Sequence, residues 1–188
     1  MYAQYIEENL RASPACDGYK ISNKRAQYYR KEIAANNLLQ ILSANRHFFA
    51  YYRRSSVSEF FCPAGEPPET YGQQLATQIG RITRRQTKRL QGDGNLCGVY
   101  VLIYLHLRAR GHPMHLLEEL LTDNLKTNDD IVYIVAELLN ISQHVQKPHN
   151  FTRSQLVYEK AIAINHKLLF YTPQTLVKLG APSRAARN

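Results

Sequence analysis

Cys97 is the residue in this 188-residue chain best placed to act as a nucleophile. A thiol attacks a carbonyl as thiolate, and both a helix N-terminus and a neighbouring imidazole favour that form. Cys97 follows the turn Gly92-Asp93-Gly94-Asn95 and opens the run Leu96-Cys97-Gly98-Val99-Tyr100-Val101-Leu102-Ile103-Tyr104-Leu105, which is apolar on every side. As a helix such a run must be buried, with the thiol in its first turn. Gly98 leaves room beside the sulfur for a substrate backbone. Gln91 lies six residues before Cys97, where its side-chain amide and the Cys97 N–H can serve together as oxyanion donors. Two histidines compete for the role of base, His47 upstream and His166 downstream. The plain reading of Cys97 is a small buried apolar residue in a core helix. The chemical reading is attack on a peptide or isopeptide carbonyl through a thioester.

The elements that must position these groups follow from periodicity and breakers. Residues 2–11 read as an amphipathic helix with Tyr2, Tyr5, Ile6 and Leu10 on one face. Pro14, Asp17 and Gly18 make a loop of 13–20. Ser22 is placed to cap a helix over 23–43, with Tyr29, Ile33, Leu38, Ile41 and Leu42 as its apolar positions. The aromatic run His47–Tyr52, a polar turn at 53–56 and a run at 57–62 predict a β-hairpin. A Pro-rich loop, a helix over 70–83 and a short basic strand over 85–90 lead to the Gly92–Asn95 turn. Further helices are expected at 113–122, at 128–143 with Thr127 or Asn128 as cap and Asp129 and Asp130 in its first turn, and at 153–165. With no internal repeat and no linker, residues 1–188 read as one α+β domain.

The formal charge of +9 and the pI near 9.5 point to an anionic partner, with nucleic acid first. Arg81, Arg84, Arg85, Lys88 and Arg89 form one basic cluster, and Lys24, Arg25, Arg30 and Lys31 another. Three widely spaced cysteines, Cys16, Cys62 and Cys97, argue against a disulfide framework, and without a Cys-x-x-Cys pair no structural zinc is expected. His112 and His115 are separated by Pro113 and have no thiol nearby, so no metal or other cofactor is expected. No stretch of eighteen apolar residues occurs, and the start MYAQYIEENLR lacks the apolar core of a signal peptide. A soluble, intracellular protein without membrane partners is the expectation.

The string Gln91-Gly92-Asp93-Gly94-Asn95-Leu96-Cys97-Gly98-Val99-Tyr100-Val101 resembles the active-site segment of the adenain and SUMO-deconjugating (ubiquitin-like protease) cysteine peptidases. There a Gln precedes the nucleophile by six or seven residues and Cys-Gly opens an apolar helix. Upstream, the same superfamily begins a strand with His-aromatic-x-Ala-aromatic, here His47-Phe48-Phe49-Ala50-Tyr51. Its hairpin partner ends in a carboxylate, followed in adenain by Pro-x-Gly, and here that place reads Phe61-Cys62-Pro63-Ala64-Gly65. The resemblance covers roughly residues 45–145. It implies a papain-like fold in the His-before-Cys order, a central buried helix that starts at the nucleophile and packs on a small mixed sheet. It also implies Cys97 as nucleophile, His47 as base and then acid, and Gln91 as oxyanion donor. The implied substrate is a protein with small residues, often Gly, before the cut. A viral maturation protease is the nearest match in style, acting in virion or host nucleus and binding DNA as a polyanion. A ubiquitin-like-protein deconjugase comes next, and an effector-type acyltransferase shares the fold and the order of the triad.

Two departures from the family pattern open other readings. The interval from His47 to Cys97 is short for the family, and Cys62 stands where a carboxylate should orient the imidazole. Glu66 from the following loop, or Glu59 from the hairpin, is the available substitute; without one the site runs as a dyad. A protein that kept the fold but not the chemistry would be a binding module for nucleic acid or a ubiquitin-like protein. His166 as base would reverse the order to Cys-then-His, as in papain-like or ovarian-tumour-type deubiquitinases. Asp93-Gly94-Asn95 is similar to the latter, although there Cys directly follows Asn and here Leu96 intervenes.

Overall fold

The aromatic run beginning at His47 is extended, as its composition favours, and lies in the middle of a five-stranded sheet. The computed structural model describes residues 3–30 and 36–169. In chain order the elements are α1 (Ala3–Arg11), β1 (Lys20–Arg25), β2 (Asn37–Ala44), β3 (His47–Arg54), β4 (Val57–Phe61), α2 (Gln73–Gln78), β5 (Arg84–Arg85), α3 (Cys97–Ala109), α4 (Leu116–Leu120), α5 (Leu125–Leu138) and α6 (Gln155–Leu169). The strands lie in the order β1-β2-β3-β4-β5. The inner pairs are antiparallel and both outer pairs are parallel, so the fold is mixed α+β with a small mixed sheet.

Alternation along the strands divides the core into two layers. Ala50, Tyr52 and Phe61 face α3 together with Leu39 and Ile41. Phe49, Tyr51, Phe60 and Cys62 face the other way, against Leu75, Ile79 and the apolar residues of β2 on that side. Helix α3 is buried along nearly its whole length and is wrapped by α1, α5, α6 and the sheet, which is why its sequence is apolar all round. One buried polar cluster ties the sheet to this helix. The fully buried Glu59 on β4 accepts Arg108 Nε at 2.6 Å and Nη2 at 3.1 Å and the Tyr104 hydroxyl at 2.9 Å.

The expected helix over 23–43 is not formed. Lys20–Arg25 and Asn37–Ala44 are strands instead. The physical reason is that β2 is covered on both faces: Leu39 and Ile41 enter one core layer, Leu38 and Leu42 the other. A strand buried on both sides loses its alternation, and Leu38, Ile41 and Leu42 then imitate helical spacing. Ile33 and Lys31 lie outside the described residues, as does everything after Leu169. The expected helix over 70–83 shrinks to α2, preceded by a 3-10 turn at Pro68–Tyr71. The basic strand shrinks to β5, and the 113–122 helix to α4. The cap of α5 is Asn124, whose side chain accepts the Thr127 N–H at 2.9 Å. Asn128 is buried inside that helix, where its amide donates to Leu90 O at 3.0 Å. The expected hairpin and the final helix do form.

Histidines make this core acid-sensitive. Burial first, and then the Arg110 guanidinium that donates to its Nδ1 at 3.0 Å, push the pKa of His106 on α3 from 6.5 to about 3. Burial also lowers His47 and His112. As pH falls through 6.5 the unfolded chain takes up these protons and the native state does not, so stability is lost downward from that point and is intact above it. The urea midpoint is expected to fall steadily below pH 6.5, and His106→Gln to flatten that slope.

Candidate active site

The turn joining β2 to β3 is two residues long, because Ala44 pairs directly with His47. Both turn residues are left-handed, Asn45 with φ 48° and Arg46 with φ 64°, the twist that a two-residue hairpin requires. Asn adopts this region readily and Arg much less so. The turn delivers the Arg46 carbonyl to 4.0 Å from Cys97 Sγ, the outer limit for a hydrogen bond from a thiol. On the other side of His47, the Phe48 N–H lies close enough to the same sulfur to favour its thiolate, and so does the Gly98 N–H from the first turn of α3. Cys97 is thus seated against the backbone immediately before and after His47. Burial pushes its pKa up, and the two N–H donors oppose that rise.

The His47 ring is held by other groups. Its Nε2 lies 3.3 Å from Cys62 Sγ, and the ring stacks on Tyr71 with centroids 5.7 Å apart and on Phe49 at 6.3 Å. Among the described residues His47 and Cys97 share no direct hydrogen bond, and Nδ1 is the ring nitrogen without a partner. Cys62 Sγ in turn meets the Tyr71 hydroxyl at 3.0 Å and receives the N–H groups of Ala64 and Glu66. The thiol therefore occupies a nest of donors of the kind that suits a carboxylate. Cys62 is completely inaccessible, whereas Cys97 keeps 6% of its surface open. Of the two thiols beside His47, only Cys97 has an exposed face.

Glu66 is exposed and accepts the Thr70 hydroxyl at 3.3 Å. It reaches His47 through space alone: its charge raises the imidazole pKa against the larger lowering by burial. Glu59 does not substitute for the missing acid. Residues 59 and 62 are an odd number apart and point to opposite faces, so Glu59 serves Arg108 and Tyr104. His166 is exposed on α6 and makes no hydrogen bond to Cys97.

Gln91 is buried at the start of the active-site turn, and its side-chain nitrogen donates to Gly94 O. One amide hydrogen thus braces the turn, and the side-chain oxygen is buried without a hydrogen-bond partner. The loop after Cys62 is tied to the same segment, because Pro63 O accepts from Leu90 N at 2.8 Å and Gln91 N at 3.0 Å. Gly65, with φ 77°, allows that approach: a Cβ there would lie 2.9 Å from Arg89 N and Thr87 O.

Asp129, expected only in a helix first turn, braces the turn before Cys97. The Asp129 carboxylate accepts Gly92 N–H and Gly94 N–H, both at 3.1 Å, and the Tyr100 hydroxyl at 3.0 Å. A Cβ on Gly92 or Gly94 would come within 2.8 Å of Oδ2, which explains both glycines. Nothing in the local sequence sets Asp129 apart, since its neighbours Asn128 and Asp130 are polar and the two glycines lie far upstream. Asp129→Ala would leave those buried donors unpaired, at roughly 1–3 kcal/mol each. A loss of about 3 kcal/mol or more is expected in urea denaturation, and about half of that for Asp129→Asn, which keeps one acceptor oxygen.

The basic cluster is partly neutralised. Arg84 pairs with Glu59 at 3.7 Å, Lys88 with Asp123 at 2.8 Å, and Arg89 with Asp93 at 3.0 Å. Arg81 and Arg85 are the exposed members left for a polyanion. Among the described residues no helix is long and apolar enough to cross a membrane. No family model matches the chain, and neither the curated proteins nor the solved structures contain a match.

Proposed function

We propose that this protein is a cysteine peptidase of papain-like fold in the His-before-Cys order, cutting peptide or isopeptide bonds after small residues. The observation that carries the reading is the seating of the Cys97 thiol, at the N-terminus of a buried helix, against the backbone on both sides of His47. With Nε2 engaged by Cys62, Nδ1 is the nitrogen that takes the Cys97 proton. The thiol is raised and the imidazole lowered by burial, so the resting pair is neutral, and the proton moves as sulfur attacks. The tetrahedral oxyanion is received by the Cys97 N–H and the second Gln91 amide hydrogen. The His47 imidazolium returns its proton to the leaving amine, and water then hydrolyses the thioester.

The test is alkylation by iodoacetamide across pH, alongside incubation with peptides carrying an internal Gly-Gly. Support is selective labelling of Cys97 over Cys16 and Cys62, still rising above pH 9, together with cleavage after Gly. Equal labelling of the three thiols and uncut peptides would leave a binding module on the same fold, the reading that the thiol at position 62 favours. Transfer of an acyl group to lysine without hydrolysis would make it an acyltransferase.

A further inference from the structure

A cleft of about 770 Å³ opens where the sheet ends, within the range of about 300–1,000 Å³ typical of ligand sites. Phe48 and Tyr71 are its aromatic lining. These residues also contact the catalytic pair, since the Phe48 N–H touches Cys97 Sγ and the Tyr71 ring stacks on His47. The cleft is thus linked to the pair through Phe48 and Tyr71, although neither Cys97 nor His47 lines it. Two arginines line it, Arg25 from the end of β1 and Arg46 from the β2–β3 turn. Both are exposed, and among the described residues neither guanidinium has an ion-pair partner. The described lining includes no carboxylate, and its remaining polar groups, such as Ser43 and Asn45, are neutral.

We infer that this cleft binds an acidic side chain of the polypeptide substrate, so that the peptidase selects sites with Asp or Glu close to the small residue at the cut. The inference rests on the peptidase reading above. Two unpaired guanidiniums give fork-shaped donors that match one carboxylate. The aromatic wall suits the apolar stem of a Glu or the neighbouring peptide backbone. A nucleic-acid track would instead need a longer row of cations following the phosphates, and this cleft offers two.

The test measures binding and cutting separately. Fluorescein-labelled peptides with Gly-Gly flanked by Glu, or by isosteric Gln, are titrated against the full chain carrying Cys97→Ala. Cleavage of a library with fixed Gly-Gly and randomised flanks is read on the unaltered protein. The Glu peptide is expected to bind about tenfold tighter than the Gln peptide, the size of one charge-assisted contact. Arg25→Glu with Arg46→Glu should abolish or invert that preference. Lys160→Glu with Lys167→Glu on α6 changes the net charge equally and should preserve it. Acid-selective binding without any cleavage would retire the peptidase reading and leave an acidic-peptide site. Cleavage indifferent to flanking charge would overturn the acidic subsite and leave the peptidase standing. Binding of duplex DNA that depends on Arg25 and Arg46, with no preference between the peptides, would overturn it in favour of a polyanion site.

Discussion

Cys97→Ala and His47→Ala are each expected to remove peptide hydrolysis by about 10⁴-fold or more, the scale seen when a nucleophile or its base is deleted. The two act on one proton and one bond, so the double variant should lose no more than either single one. Stability separates chemistry from folding. Cys97→Ala removes one sulfur at a helix end, and its denaturation midpoint should move by less than about 2 kcal/mol equivalent. His47→Ala removes the ring stacked between Phe49 and Tyr71 and will cost more stability, so His47→Gln, close in size, supplies the control. His166→Ala should retain most activity. Should His166→Ala silence hydrolysis while His47→Gln preserves it, the order of base and nucleophile would reverse.

Cys62→Asp is expected to raise turnover by roughly tenfold to a hundredfold, an uncommon gain from a buried substitution. The tautomer of His47 decides the effect. His47 can accept the Cys97 proton at Nδ1 only when its own proton sits on Nε2, facing residue 62. A carboxylate can only accept, so it fixes that tautomer and stabilises the imidazolium formed during attack; replacing such a carboxylate by a group that fixes the wrong tautomer costs about 10⁴-fold elsewhere. A thiol can donate or accept, and whenever it donates to Nε2 the base is blocked. The pocket is already suited to the acid: Ala64 N–H, Glu66 N–H and the Tyr71 hydroxyl all converge on the Cys62 sulfur. The same change should raise the His47 pKa toward neutrality, readable in the acidic limb of the rate profile. Cys62→Val removes the polar atom and should lower turnover. An Asp variant no faster than the Val variant would mean that residue 62 does not orient the imidazole.

The local elements that carry the candidate residues were legible in the sequence. Gln91, the Gly92–Asn95 turn and Cys97 were read from a run of eleven residues, and the His47 strand with its hairpin partner from sixteen, because strand alternation and turn chemistry are local. The relations that failed are those set by tertiary cover. Strand β2 read as helix because both of its faces are buried. Glu59 looked available to His47 until the pleat placed it on the opposite side of β4. Asp129 and Gly92 are 37 residues apart, and no local pattern announces a carboxylate that braces a distant turn. The basic cluster at 81–89 looked like a uniform patch because most of its partners, Glu59 before it and Glu118 and Asp123 after it, are distant in sequence.

The β2–β3–β4 meander, closed by two-residue turns, has consequences for when the protein becomes competent. Its contacts join neighbours in sequence and cost little loop-closure entropy, so it can form early. The contact between Cys97 and Arg46 spans 51 residues and exists only once α3 has seated on the sheet. His47 and Cys97 therefore lie on elements that meet only when the sheet and α3 pack together. During synthesis His47 leaves the ribosome well ahead of Cys97. A nascent chain can hold a finished hairpin and still lack the proposed reaction centre, which closes only when α3 packs on β3.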